Sequence, residues 1–121
     1  MGRKVLIIDE NIIDVMEIEK YLQDGGYDVV HLASPNGALS KIEYEEPEIL
    51  LLDVEMKRLN TDDLLESLAS PQYDEMVVVA FSDMGADDLH DYCVENELNG
   101  YFCKSMDVTQ IAEFLDNFYE Y

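Results

Sequence analysis

Residues that can bind phosphate or a metal ion stand at the ends of four apolar runs. These runs, each with the residues that follow it, are VLII (5–8) with Asp9 and Glu10, ILLL (49–52) with Asp53, VVVAF (77–81) with Ser82 and Asp83, and YFC (101–103) with Lys104. In an open parallel sheet, ligands bind outside the carboxyl ends of the strands, so these residues would converge there. The sequence therefore predicts one crowded acidic site that contains one lysine.

The residue types in this predicted site indicate phosphate chemistry. Three neighbouring carboxylates, Asp9, Glu10 and Asp53, cannot all ionise unless a cation joins them. Oxygen ligands without His or Cys suit a hard ion such as Mg²⁺, or Mn²⁺, which binds phosphate in its remaining positions. Lys104 could pair with a carboxylate or with a phosphoryl oxygen, and the Ser82 hydroxyl could donate to another oxygen. We therefore predict phosphoryl transfer onto an aspartate.

Five strand-like runs alternate with helix-like segments, which predicts an α/β fold with a doubly wound, five-stranded parallel sheet. The expected strand order is 2-1-3-4-5, in a flavodoxin-like sandwich of three layers. The third and fourth runs are continuously apolar, as central strands covered on both faces require. The predicted strands are 5–8, 27–32, 49–53, 76–81 and 101–103, and the predicted helices are 11–24, 34–46, 60–69, 86–96 and a last one from 107.

Local signals predict how the helices begin and which faces they bury. Ser34 is the expected N-cap of the second helix, with Pro35 in its first turn. Asp107 and Gln110 resemble a capping box for the last helix. The fourth helix is expected to bury Leu89, Tyr92, Cys93 and Val94. The expected apolar stripe of the first helix consists of Ile12, Ile13, Val15, Met16, Ile18, Tyr21 and Leu22.

Composition limits the classes of partner. With 28 acidic and 7 basic residues the formal charge is −21, so the protein repels nucleic acid and anionic lipid and attracts cations or a partner protein with a basic surface. No run approaches the ~20 apolar residues of a membrane span, and the first residues lack a signal peptide, so we expect a cytoplasmic protein without membrane insertion. Cys93 and Cys103 are expected to be buried, reduced thiols.

Taken in order, the acid pair, the lone aspartate, the hydroxyl residue and the lysine resemble the receiver domain of two-component response regulators, including the stand-alone chemotaxis regulators. The resemblance extends over the whole chain, so residues 1–121 are expected to form one receiver domain without an output domain. It implies that Asp53 accepts a phosphoryl group from a sensor histidine kinase or a phosphotransfer protein. It also implies an Mg²⁺ site formed by Glu10, Asp53, the backbone carbonyl of Glu55 and waters, with Asp9 acting mainly through water.

The same resemblance implies a switch that reports phosphorylation. Lys104 would contact the phosphoryl group, and Ser82 would move to hydrogen-bond it. Tyr101, three residues before Lys104, would turn inward with Ser82 and alter the surface of the fourth helix, the fifth strand and the fifth helix. A downstream protein would bind that surface.

Several positions near the predicted site depart from the usual receiver pattern. Lys57 stands where proline is common, Thr61 where glycine is common, and Ser105 where a proline often follows the lysine in a cis peptide, so we expect a trans bond after Lys104. Asp83 replaces a small residue and adds a carboxylate that would oppose an incoming phosphoryl group. We regard Lys57, Asp83 and Met84 as possible modulators of the site.

Two other readings remain open from the sequence. The departures favour a pseudo-receiver, a protein-interaction module that keeps the fold and ignores phosphate. The topology also fits flavodoxin, although Asp9-Glu10-Asn11 would repel the phosphate of a flavin. It also fits an aspartate-dependent phosphatase, although the nucleophile of those enzymes follows the first strand, whereas Asp53 follows the third. As an enzyme, the chain would at most perform Mg²⁺-dependent self-phosphorylation from a donor and autodephosphorylation.

Overall fold

A computed structural model describes residues 2–56 and 61–120, with the backbone alone at Thr61. The strands of the sheet are β1 (Lys4–Ile8), β2 (Asp28–Leu32), β3 (Ile49–Asp53), β4 (Val77–Ser82) and β5 (Gly100–Cys103). The α-helices are α1 (Ile12–Asp24), α2 (Ala38–Glu45), α3 (Thr61–Leu68), α4 (Ala86–Glu95) and α5 (Ile111–Asp116). Short 3-10 turns cover Pro71–Tyr73, Val108–Gln110 and Asn117–Tyr119.

The strands form one parallel sheet in the order β2-β1-β3-β4-β5, as the sequence predicts. Every residue of β3 and β4 is buried, which confirms that the continuously apolar runs are the central strands. The register aligns Ile8 with Leu52, Asp53 with Phe81, and Ser82 with Cys103. The carboxyl ends of β1, β3, β4 and β5 therefore meet at one edge.

Alternating strand residues build a separate core on each face of the sheet. Val5, Ile7, Leu51 and Val79 face the buried side of α1 and α5, whereas Leu6, Ile8, Leu50 and Leu52 face α2 and α3. A smaller cluster joins Ala80 and Cys103 to Leu89 of α4. The result is the three-layer sandwich predicted from the sequence.

The buried face of α1 is narrower than predicted. Val15, Ile18 and Leu22 are buried, but Ile12, Ile13 and Met16 are 53%, 77% and 68% exposed. Seven apolar residues span more of the helix circumference than the ~100° that one sheet can cover. The prediction of a single seven-residue stripe was therefore wrong. Val94 of α4, predicted as buried, is likewise exposed.

Two predicted helix starts are also corrected. Helix α2 begins at Ala38 rather than at Pro35, because Gly37 takes a left-handed φ of 77° that ends the preceding turn. The Ser34 hydroxyl accepts a hydrogen bond from the Asn36 amide and caps that turn instead. Asp107 caps a 3-10 turn, in which its carboxylate accepts from the Thr109 amide, before α5 begins at Ile111.

The expectations for the two cysteines and for the peptide bond after Lys104 are confirmed. Both cysteines are buried and free, and the peptide bond after Lys104 is trans. Within residues 2–56 and 61–120, no helix has the length and apolar character needed to cross a membrane.

Candidate functional site

The sheet brings the predicted site residues to its carboxyl edge. Asp9 follows β1 directly, Asp53 ends β3, and Ser82 ends β4; all three side chains belong to buried residues. The Lys104 amide donates to the Ser82 carbonyl at 2.7 Å, which joins the end of β5 to the end of β4. The parallel sheet thus holds three polar residues in buried positions at the carboxyl ends of otherwise apolar strands.

The Lys104 ammonium is the positive centre of the site. Its Nζ lies 2.9 Å from Asp9 Oδ2, 3.0 Å from Asp14 Oδ2 and 3.5 Å from Asp53 Oδ2. The side chain is only 8% exposed, and Nζ lies 5.1 Å from the centre of the Phe81 ring. Burial acts to lower the Lys104 pKa, but the bonds to Asp9 and Asp14 and the charges of Asp53 and Asp9 outweigh it and raise the pKa. The ammonium therefore stays charged at any physiological pH.

A hydrogen bond holds the Asp53 carboxylate in place, and the surroundings of Asp53 disfavour its ionised form. Its Oδ1 accepts a hydrogen bond from the Glu55 amide at 2.9 Å, which fixes the carboxylate. Burial, together with the charge of Asp9, raises its pKa to about 6, against the lowering effects of the Glu55 amide and Lys104. At neutral pH Asp53 is still mostly ionised, so it retains a nucleophilic oxygen.

Asp9 has one carboxylate oxygen that fits a cation. Its Oδ1 accepts from the Asn11 amide at 2.9 Å. Its Oδ2 is buried and pairs with the Lys104 ammonium at 2.9 Å. Asp9 and Asp53 are both buried, and the Asp53 pKa is raised, so a hard divalent ion would stabilise the two carboxylates in this arrangement.

The complete ligand set predicted for Mg²⁺ is not assembled in this structure. Glu10 is exposed, and no three His, Cys, Asp or Glu residues within the described ranges are grouped so as to hold a metal ion. Asp9 and Asp53 supply two carboxylates to such a site. The contributions of Glu10 and of the Glu55 carbonyl stay predictions.

Ser82 and Met84 are linked to the side chain of Glu55. The Ser82 hydroxyl donates to Glu55 Oε1. The Met84 amide donates to the same oxygen at 3.1 Å and also to Ser82 Oγ at 3.0 Å. One Glu55 carboxylate oxygen therefore accepts from the last residue of β4 and from the loop that follows it.

Tyr101 packs away from the carboxylates. Its ring is half-buried and meets the His90 ring edge-on at 5.9 Å. It belongs to the cluster of Ala80, Leu89 and Cys103, against which Val54 and Met84 also pack. An inward switch of Tyr101 is not seen in this state and stays a prediction.

Two members of the site, Asp14 and the Glu55 side chain, were not predicted from the sequence. Asp14 bonds to Lys104, and its position in the first turn of α1, close to Asp9 in sequence, is the signal that could have found it. The Glu55 side chain was not assigned a role beyond adding charge, because no pattern shows where an exposed carboxylate points. Asp83 is exposed, and Lys57 lies outside the described residues.

A family model and a curated regulatory protein both match this chain. The family model described as the response regulator receiver domain matches residues 5–116. A curated relative is the alkaline phosphatase synthesis transcriptional regulatory protein PhoP of Bacillus subtilis, 31% identical over 68 residues. That match covers 56% of this chain and 28% of the relative, so the chain corresponds to about a quarter of that protein's length.

Solved structures with the same fold have low sequence identity. A putative response regulator from Chloroflexus aurantiacus has a TM-score of 0.86 at 21% identity, with 97% of each chain covered. The signal receiver domain of a DNA-binding response regulator from Colwellia psychrerythraea has a TM-score of 0.85 at 16% identity, covering 99% of this chain and 100% of that one. The chemotaxis response regulator CheY4 of Vibrio cholerae has a TM-score of 0.83 at 19% identity, covering 97% and 98%.

Proposed function

Because this chain belongs to the response regulator receiver family of two-component signalling, we propose that it accepts a phosphoryl group on Asp53 and thereby changes its affinity for a partner protein. The observation that carries the proposal is the arrangement of Asp53 beside Asp9 and the buried Lys104 ammonium, at the carboxyl edge of the sheet. A carboxylate flanked by a fixed cation and an oxygen-rich pocket has the parts that phosphoryl transfer needs.

The chemistry assigned to Asp53 is an in-line displacement. One Asp53 oxygen forms a bond to phosphorus while the bond from phosphorus to the donor breaks, and the donor group leaves with the electron pair. The Glu55 amide fixes the carboxylate during this exchange. The raised Asp53 pKa makes the ionised oxygen more basic than an ordinary aspartate, which favours attack.

Lys104 would stabilise the charge on the transferred group. The ammonium already bonds to Asp9 and Asp14 and lies at 3.5 Å from Asp53 Oδ2, so it is directed at the site where the negative charge develops. A bound Mg²⁺ would neutralise charge on the phosphoryl oxygens. Glu10, Asp53 and the Glu55 carbonyl would be its protein ligands, with Asp9 acting mainly through water.

The surface supports a protein partner. Ile12, Ile13 and Met16 form an exposed apolar patch on the amino-terminal half of α1, immediately after the site residues Asp9 and Glu10. Such a patch beside a reactive carboxylate suits contact with the phosphodonor protein, a sensor histidine kinase or phosphotransfer protein. Helices α4 and α5 carry no Lys or Arg, so the downstream partner proposed for that face has a basic surface.

A second candidate function is a pseudo-receiver that binds its partner without phosphorylation. The observation in its favour is that Ser82 and Lys104 both have partners inside the chain, Ser82 with Glu55 and Lys104 with three aspartates. Such a module would bind its partner equally well when Asp53 is replaced by Asn.

Incubation with acetyl phosphate and Mg²⁺, followed by intact mass measurement, separates the two functions. The proposed function predicts one added phosphoryl group on the wild-type chain and none on Asp53→Asn or in excess EDTA. Asp83→Asn serves as the matched control, because it removes an exposed carboxylate close to the site. No addition to the wild-type chain, under conditions where Mg²⁺ is shown to be present in excess, would contradict the proposal.

A further inference from the structure

We propose that the Glu55 carboxylate is a competitor, built into the chain, for the hydrogen-bond donors that a phosphoryl group on Asp53 would use. The inference rests on the proposed function of Asp53. Glu55 would be a positioning residue that acts through Ser82. We call the Glu55 carboxylate, with the hydrogen bonds that it accepts from Ser82 and Met84, the latch.

The contacts of Glu55 connect the two halves of the site. Its backbone amide donates to Asp53 Oδ1 at 2.9 Å. Its side-chain Oε1 accepts from the Ser82 hydroxyl and from the Met84 amide, the latter at 3.1 Å. One residue therefore holds the carboxylate proposed as the acceptor at one end and the hydroxyl proposed as the switch at the other.

A phosphoryl group and the Glu55 carboxylate would need the same donors. Both are anions whose oxygens accept charge-assisted hydrogen bonds, and the Ser82 hydroxyl has a single proton to donate. When Asp53 carries a phosphoryl group, the hydroxyl can serve that group only after it leaves Glu55. The two anions would also repel each other across this small site.

Release of the latch would be transmitted through Met84. The Met84 amide is held by Glu55 Oε1 and Ser82 Oγ, while its side chain packs in the cluster that contains Tyr101 and Leu89 of α4. Movement of Glu55 would therefore loosen a backbone position whose side chain contacts the α4–β5 face. This gives the unphosphorylated state a defined set of bonds that phosphorylation must break.

The test measures the rate of phosphorylation by acetyl phosphate in Mg²⁺ for four chains: wild type, Glu55→Gln, Ser82→Ala and the double variant. Gln keeps the shape of Glu55 and removes its charge, so Ser82 is held less strongly. Because a hydrogen bond to a charged acceptor is stronger by about 1 kcal/mol than one to a neutral acceptor, we expect Glu55→Gln to react about fivefold faster than wild type.

The double variant distinguishes a latch from simple charge repulsion. If Glu55 acts through the Ser82 hydroxyl, Glu55→Gln should have little effect on the rate in the Ser82→Ala background. If Glu55 acts only by repelling phosphate, Glu55→Gln should accelerate the reaction equally with and without the hydroxyl. That second result would overturn the inference. Glu43→Gln is the control for net charge, since Glu43 is exposed and lies on α2 two residues before Glu45, which pairs with Lys4 at the start of β1. It should react at the wild-type rate.

The outcomes also separate the inference from the proposed function. A wild-type chain that gains a phosphoryl group at the same rate as Glu55→Gln leaves the proposed function standing and refutes the latch. If none of the four chains gains a phosphoryl group, the proposed function fails and the latch fails with it. Urea unfolding of each variant verifies that the rates refer to folded protein.

Discussion

At the scale of single residues, Lys104 is the group on which the site depends for its stability. Its ammonium is almost fully buried and contacts three carboxylates, of which Asp9 is completely buried. A buried charge that loses its partner cannot be solvated by water in exchange. The stability of the folded chain and the chemistry proposed for the site are therefore linked through one side chain.

Replacement of Lys104 by Met should lower the free energy of unfolding at pH 7 by roughly 3–5 kcal/mol, because it leaves buried carboxylates uncompensated. The loss should be smaller at pH 5, where Asp53 can take up a proton. Urea unfolding at the two pH values measures both effects. Lys41→Met is the matched control, since its ion pair with Glu45 joins neighbouring turns of α2 and is partly exposed, and it should cost less than about 1 kcal/mol. Equal effects of the two substitutions would contradict the account.

Asp53→Asn should stabilise the metal-free protein at neutral pH. The pKa of Asp53 is raised from 3.8 to about 6, so the folded state binds this proton more tightly than the unfolded state. Ionised Asp53 therefore destabilises the fold above pH 6, by about 3 kcal/mol at most, and the penalty disappears as the pH falls towards 4.

The measurement is urea unfolding in EDTA at several pH values between about 4.5 and about 7.5, where the difference between variant and wild type should grow with pH through the Asp53 pKa. Asp83→Asn should show no comparable change, because Asp83 is exposed. If Asp53→Asn were less stable than wild type at pH 7.5, the fold would stabilise ionised Asp53. That result would contradict the prediction that burial and the charge of Asp9 disfavour the anion.

At the scale of elements, the packing of α1 against α5 depends on the absence of a side chain at Gly25. A Cβ built at Gly25 would lie 2.5 Å from the Ala112 Cβ, an atom that cannot rotate away. Gly25→Ala should therefore lower the free energy of unfolding by roughly 1–3 kcal/mol. Adding Ala112→Gly should recover part of that loss, which a double-mutant cycle measures.

Gly85→Ala is the control for this prediction. Gly85 has a φ of −59°, and a Cβ there would meet no atom within 4 Å. It should be close to neutral, because the smaller entropy of the unfolded chain offsets the poorer N-cap that Ala would give α4. If both alanines had the same effect, the helix contact would not be the cause.

The strands were predictable from the sequence because their burial leaves a strong signal. Two short, continuously apolar runs indicate central strands of a covered sheet, and the structure has them as β3 and β4. Helix faces and starts were less predictable. Nothing local indicates that the sheet covers Val15, Ile18 and Leu22 but leaves Ile13 exposed, or that Gly37 adopts a left-handed conformation that delays α2.

The site was predictable where a residue is attached directly to a strand end. Asp9, Asp53, Ser82 and Lys104 were placed correctly because the parallel sheet dictates their position. Asp14 and the Glu55 carboxylate were missed because their location depends on side-chain rotamers and on long-range hydrogen bonds. Neither produces a recognisable pattern of residue spacing in the sequence.

At the scale of the whole molecule, the charge of −21 opposes the compact state. The Debye length falls from about 30 Å at 0.01 M salt to about 3 Å at 1 M, so salt should weaken this repulsion much more than it weakens the buried Lys104 contacts. We therefore expect the free energy of unfolding to rise with NaCl over that range, which thermal or urea unfolding measures. A flat or falling dependence would indicate that surface repulsion is not significant.

Mg²⁺ should stabilise the protein beyond this general effect of salt. At equal ionic strength, MgCl₂ should raise the free energy of unfolding more than NaCl for the wild type, since an ion bound by Asp9 and Asp53 binds the folded state alone. The difference between the two salts should shrink in Asp53→Asn. Identical curves for both salts in the wild type would contradict a specific metal site.

Locating the phosphoryl group within the chain tests directly whether Asp53 is the phosphoacceptor. Borohydride reduces an acyl phosphate to an alcohol, so treatment after incubation with acetyl phosphate and Mg²⁺ converts the modified aspartate to homoserine, which peptide mass spectrometry can place. We expect homoserine at position 53 and no conversion at Asp9, Asp14 or Asp83. Conversion at another aspartate, or none despite a measured gain in mass, would contradict the assignment of Asp53 as the phosphoacceptor.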